Sequence, residues 1–204
     1  MLTQGRLAGN SYAPASGGTI LWRWLALLLS LLCAMAAYAD DAGKFSVLDA
    51  HSRSIGGVQL LDARFAIRLS HGASEALDNG VPLTFEFQVQ LVKQHKWLWD
   101  VVETEHVVVR QLQYHALSRS YLVRTTGGTG TQGSYSQLQD ALTAVGSIDR
   151  LLVTSQPLEA GLKYYIRLRG SLDIEELPTP VRLLAYVSSD WDMDSEWYTW
   201  PIDR

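Results

Sequence analysis

Cysteine is nearly missing from these 204 residues, which hold one, Cys33. No intramolecular disulfide can form, so the fold must rest on a hydrophobic core. Acidic residues are missing from the first 39 positions, where Arg6 and Arg23 are the only charged side chains. The apolar run there, Leu25–Tyr38, has 14 residues, short of the about 20 that a helix needs to cross a hydrocarbon core of roughly 30 Å. Also lacking are an internal repeat, a Pro-rich or Ser-rich linker, a G-x-S-x-G elbow and a His pair at the i, i+4 spacing of a metalloprotease helix. Their absence leaves one domain and no ready-made catalytic motif.

What is present at the start has the layout of a secretory leader. A basic segment precedes the apolar run, and Ala37, Tyr38 and Ala39 form the small-x-small pattern read by signal peptidase, just before Asp40 and Asp41. The expectation is a signal-peptide helix over residues 1–39, cleaved after Ala39, with a mature domain over 40–204. Retention as an anchor would require the span to begin at Ile20. Attachment of lipid at Cys33 would require a small residue before it, and Leu32 stands there.

The mature chain of 165 residues is large enough to bury roughly 70% of its unfolded surface. With 15 basic against 21 acidic residues its formal charge is −6. That balance argues against nucleic acid or an anionic membrane as the main partner, and membrane contact is expected only through the leader.

Periodicity is mostly that of strands. Leu83, Phe85, Phe87, Val89 and Leu91 alternate with polar residues, as do Leu61, Ala63, Phe65, Ile67 and Leu69, and Tyr164, Ile166 and Leu168. β-Branched or aromatic runs mark further strands at 105–109, 121–125, 150–154 and 181–188. Ser134 and Gln137 resemble a capping box ahead of Leu138, Ala141, Leu142 and Val145, with Gly146 to end the helix. The expected fold is mainly β: an immunoglobulin-like antiparallel β-sandwich with one inserted helix at about 135–145 and a short helical turn at 74–78, closed by Asn79 and Gly80.

Five phrases occur in order along the mature chain: EALDNGVPLTFEFQVQL from Glu75, Trp97 and Trp99 with Asp100, LQYHALSRSYLV from Leu112, RGSLDIEELPTPVRL from Arg169 and SSDWDMDSEWYTW from Ser188. Together they resemble the bacterial family called domain of unknown function 4390. The resemblance implies an exported, hence periplasmic, protein of Gram-negative bacteria with no assigned activity. Genes of that family often lie beside a membrane sensor histidine kinase, which implies an accessory role in envelope sensing with the kinase as partner. It supplies no catalytic residue and no cofactor.

Chemistry-bearing residues are sparse. His51, His71, His95, His106 and His115 show no ligand spacing and read as imidazoles satisfied locally. The Gly-rich stretch 127–133 precedes the expected helix but lacks the Lys and Ser/Thr of a phosphate loop. Asp190, Asp192 and Asp194 form a D-x-D-x-D run, a candidate calcium set; an EF-hand is excluded because Ser195 replaces the turn Gly and Pro201 the bidentate Glu.

Five tryptophans remain beyond the leader, at 97, 99, 191, 197 and 200. They serve either the core or an exposed platform of Trp97, Trp99 and Trp191, with Arg119, Arg167 and Arg169 as polar contacts. Three readings follow: a non-catalytic interaction module for an envelope protein, a small-ligand or glycan binder using exposed Trp, and an enzyme of unrecognised type.

Overall fold

The computed structural model describes residues 43–95, 99–126 and 132–202. All fall within one compact unit, Asp41–Arg204. The leader with Cys33, Ala37, Ala39 and Asp40, the Trp97 position and the glycine stretch 127–131 lie outside the described residues.

Among the described residues nine strands form two antiparallel sheets. β1 (Lys44–Ile55), β2 (Val58–Arg68) and β7 (Ser147–Thr154) make the smaller sheet in the order β1-β2-β7. β3 (Leu83–Gln94), β4 (Val101–His115), β5 (Ser120–Thr126), β6 (Gln132–Tyr135), β8 (Lys163–Asp173) and β9 (Tyr198–Pro201) make the larger, in the order β6-β5-β4-β3-β8-β9. β1 and β2 close on Gly56 and Gly57, both at positive φ (61° and 86°), the two-residue turn whose twist matches paired strands.

The alternation read from the sequence sets which face of each strand is buried. Leu61, Ala63, Phe65 and Ile67 of β2 face Phe85, Phe87 and Val89 of β3 and Ile166 and Leu168 of β8, all 6% exposed or less. Phenylalanines join the sheets: ring centroids of Phe65 and Phe87 lie 4.8 Å apart, and those of Phe45 and Phe85 5.9 Å. Tilted pairs at such distances are favourable beyond their buried area. Gly170 of β8 admits the rings, because a Cβ there would stand 2.9 Å from Phe45 and 3.2 Å from Phe65.

Among the described residues three helices connect the strands. α1 (His71–Asp78) begins three residues before the expected turn because Ser70, fully buried, accepts the Ala73 N–H with its hydroxyl at 3.2 Å. Asn79 and Gly80 close it, as the sequence suggested. α2 (Leu138–Val145) is shorter than the helix expected at 135–145. Ser134 and Tyr135 are drawn into β6, paired with Leu122 and Tyr121, so Ser134 caps nothing and Gln137 holds the N-cap without a side-chain bond.

α3 (Thr179–Ala185) overturns the strand expected at 181–188. Pro180 lies in its first turn, where a missing N–H leaves no helical bond unmade. Ala185 is its only buried residue. A 3-10 turn, Ser189–Trp191, follows it.

Candidate recognition surface

The even-numbered residues of β3 and the odd-numbered residues of β8 share the outer face of the larger sheet. The register sets Gln90 opposite Arg167 and Gln88 opposite Arg169, with Glu105 of β4 on the other side of Gln90. Arg167 donates from Nε to Gln90 Oε1 at 2.7 Å, and Gln90 donates from Nε2 to Glu105 Oε1 at 3.0 Å. Those two bonds offset the cost of keeping Gln90 9% exposed. Arg169 donates from Nη2 to Gln88 Oε1 at 3.2 Å, while its Nε is buried with no hydrogen-bond partner.

Trp197 covers both arginines. Its ring centroid lies 4.7 Å from Arg167 Cζ and 5.1 Å from Arg169 Cζ, within cation–π range. The backbone explains how it gets there. Ser195 is pinned to Gly170 by two bonds, its N–H to the Gly170 carbonyl at 2.8 Å and its hydroxyl oxygen from the Gly170 N–H at 2.9 Å. Tyr198 is already paired with Leu168. Three steps of one segment thus oppose two of the other, a bulge that sends Trp197 over the outer face.

Neither guanidinium is neutralised by a carboxylate among the described residues. Arg53, Arg64 and Lys93 each have a carboxylate within 2.8 Å. Among the described residues no carboxylate comes within ion-pair distance of Arg167 or Arg169.

Two grooves flank this pair, one at Arg167 and one at Arg169. One, of about 940 Å³, runs along β9 and is walled by Asp100, Tyr165, Arg167, Trp197 and Trp200. Tyr165 donates its hydroxyl to Asp100 Oδ2 at 2.9 Å; burial and then this bond push the phenol above its ordinary value. The second, of about 530 Å³, is lined by Arg169, Ser171, Tyr186, Val187 and Trp191. Its far side continues into an apolar rim on α3 and the turn after it, where Leu183, Leu184, Tyr186 and Val187 are 57–84% exposed.

The residues singled out from the sequence are dispersed. Trp99 is 90% exposed in the β3–β4 connection, and Arg119 sits at φ 49° in the β4–β5 turn. Trp191, by correction, is 7% exposed and belongs to the core, where it packs against Gly72 of α1. Of the five such residues that are described, Trp99, Trp191, Arg119, Arg167 and Arg169, only Arg167 and Arg169 come together, and the ring above them is Trp197. The i, i+2 spacing of the arginines was a signal for the pair, but nothing local marked Trp197 over Trp191.

Asp190, Asp192 and Asp194 also separate: Asp190 enters the 3-10 turn beside Gly72, while Asp194 bridges Ser171 through its backbone. Among the described residues no three His, Cys, Asp or Glu side chains are placed to hold a metal ion. The histidines are likewise apart. His106 donates from Nε2 to the Val153 carbonyl at 2.8 Å, tying β4 to β7, and His115 pairs with Ser118 at 3.0 Å.

No helix among the described residues is long and apolar enough to cross a membrane. No curated protein and no solved structure matches the chain significantly. The block order noted in the sequence agrees with one comparison that does succeed, over residues 42–201, and the chain belongs to the family described as Domain of unknown function (DUF4390).

Proposed function

We propose that this protein is an exported, periplasmic interaction module without catalytic activity, and that it engages an envelope protein through the outer face of its larger sheet together with α3. One observation carries the reading: two guanidiniums without carboxylate partners, roofed by Trp197, adjoin a groove that leads to the exposed apolar rim of α3. Arg, Trp and Tyr in this combination are the residue types that concentrate binding energy at protein interfaces, and contiguous exposed apolar surface marks such sites. Support for export comes from the leader, with cleavage after Ala39. The family resemblance makes a membrane sensor histidine kinase the first partner to test.

The strand pairing supports an immunoglobulin-like sandwich as the scaffold. β1, β2 and β7 stand where strands A, B and E of that fold stand, and β3, β8 and β9 where C, F and G do, with β4 and β5 as C′ and C″. The arginine pair of the recognition surface is then carried by a central strand, with Trp197 and α3 placed beside it. Among the described residues, Asp62 on β2, Glu86 on β3 and Arg110 on β4, all with displaced pKa, lie on separate strands and line neither groove, while Tyr165 and Tyr186, also displaced, line different ones, which favours binding over catalysis.

A photo-crosslinking residue placed at Val187 of the full-length protein, in growing cells, tests this reading against one placed at Leu48, 69% exposed on β1. A discrete adduct at Val187 and none at Leu48 is expected. Uncrosslinked protein at both positions refutes the interface. The groove beside β9, with Tyr165, Trp197 and Trp200 in its walls, supports a second reading as a glycan or small-ligand site. That reading predicts a rise in melting temperature with a glycan, and an unchanged temperature across a glycan panel removes it.

A further inference from the structure

We infer that Arg167 and Arg169, beneath Trp197, form a carboxylate-recognition site for an acidic segment of the protein partner, with apolar residues of that segment lying on the α3 rim. The inference rests on the interaction reading above and adds the chemistry of the partner.

The argument begins with what stands opposite the arginines. In a β-ladder a carboxylate on the adjacent strand stabilises an outward Arg, because opposite charges across strands attract. β3 presents Gln88 and Gln90 instead. Each amide oxygen accepts one guanidinium bond and orients the fork, yet neither brings a negative charge. Two cations at i, i+2 on one strand face repel, and the repulsion is largest where water is partly excluded, as it is under the Trp197 ring. The ring attracts both cations as a π partner but brings no negative charge and no acceptor atom for their N–H groups. Arg169 Nε has none.

An incoming carboxylate would accept from the Nη groups of the two arginines, Arg169 Nε being buried out of its reach, and would relieve the repulsion. A peptide carboxylate fits the surroundings better than a free anion. The groove that holds Arg169 continues past Ser171 to Tyr186 and Val187, so an acidic residue seated on the arginines would place its chain neighbours over apolar surface. The partner segment therefore carries Glu or Asp flanked by apolar residues.

The probe is a capped peptide with two Glu flanked by Leu, compared with its Gln counterpart and with acetate and phosphate, read by the Trp197 indole N–H in ¹H–¹⁵N spectra. The Glu peptide is expected to shift this resonance, more weakly as salt rises, and R167Q/R169Q is expected to bind at least tenfold more weakly. Arg169→Lys, which keeps charge but not the fork, should fall between. Equal binding of the Gln peptide, unchanged affinity in the double variant, or no shift overturns the inference. So do acetate or phosphate shifting the resonance as strongly at the same concentration, which would mark a small-anion site. Melting curves of the double variant confirm that it is folded before the comparison is made. In cells, a Val187 adduct that persists in R167Q/R169Q overturns this inference and leaves the interaction reading standing. Loss of the adduct only in the double variant supports both, and no adduct in either protein removes both.

Discussion

Replacing Gly146 by Ala separates two explanations of one glycine. The residue follows α2, where a glycine is commonly needed for a left-handed turn, but its φ is −77° and its ψ 3°, open to any side chain. The constraint is proximity. A Cβ on Gly146 would stand 2.5 Å from the Phe65 carbonyl oxygen and 3.3 Å from the Phe65 carbonyl carbon, both backbone atoms that no rotamer change can move. The Phe65 N–H meanwhile donates to the Gly146 carbonyl at 2.9 Å, holding the two segments together. Ala must push β2 and the end of α2 apart, which forfeits about 1 kcal/mol of hydrogen bonding and adds about 1–3 kcal/mol of overpacking. Against this, Ala restricts the unfolded chain and returns about 0.4–1 kcal/mol. The net loss is about 1–3 kcal/mol, a fall in Tm of about 3–10 °C for a domain of this size. Thermal and urea melts followed by circular dichroism measure it, and amide spectra should show the Phe65 resonance displaced. Gly161→Ala is the control: φ is +85° there with nothing within 4 Å, so the substitution strains its own backbone without moving Phe65. An unchanged or raised Tm for Gly146→Ala would refute the close-approach argument.

Arg110→Met removes the cation that caps α2 through the Ala144 and Val145 carbonyls, and burial already holds that guanidinium below its ordinary value. Two charge-assisted bonds weigh about 1.5–3 kcal/mol each before the recovered desolvation, so a net loss of about 2–3 kcal/mol is expected in urea melts, and a loss under about 0.5 would refute the capping role. Arg150→Gly relieves a non-glycine residue at φ 48°, whose left-handed backbone costs about 1–2 kcal/mol, while the Arg150 N–H to Asp62 Oδ1 bond is kept. Glycine's greater freedom in the unfolded chain offsets about 0.5–1 of this, so stability should rise slightly, and a fall of more than about 1 kcal/mol would contradict the strain argument. For Glu86, burial and then Asp173 and Glu176 raise the carboxyl pKa above its ordinary value. The folded state therefore holds that proton more tightly than the unfolded chain, and stability drops as pH rises through the unfolded and then the folded pKa. Glu86→Gln should raise Tm at pH 7 and not at about pH 3.5, below the ordinary glutamate range; an equal gain at both values would show that charge is not the cause.

How much of this was legible depends on whether a residue's surroundings are local. β2, β3 and β8 each bury one face and show a clean period of two, so their inward residues could be read directly. β1 was invisible because it buries only Phe45 while Leu48 and Ile55 face solvent, which leaves no alternation to find. The run at 181–188 looked like a strand because of its β-branched and aromatic residues, yet it forms α3, whose apolar Leu183 and Leu184 are left uncovered. Where apolar composition fails to predict burial, the missing cover is itself a pointer to a surface that works with something outside the chain. The arginine pair follows the same logic. Its i, i+2 spacing on one strand face is plain in the sequence, but whether the charges are neutralised depends on register, since a slip of one residue would set inward-facing Val89 opposite Arg169 in place of Gln88. Trp197 depends on a bulge, a mismatch between two segments far apart in the chain. The site was thus written in the sequence as separate residues, and what makes them one site is strand pairing, which no local pattern encodes.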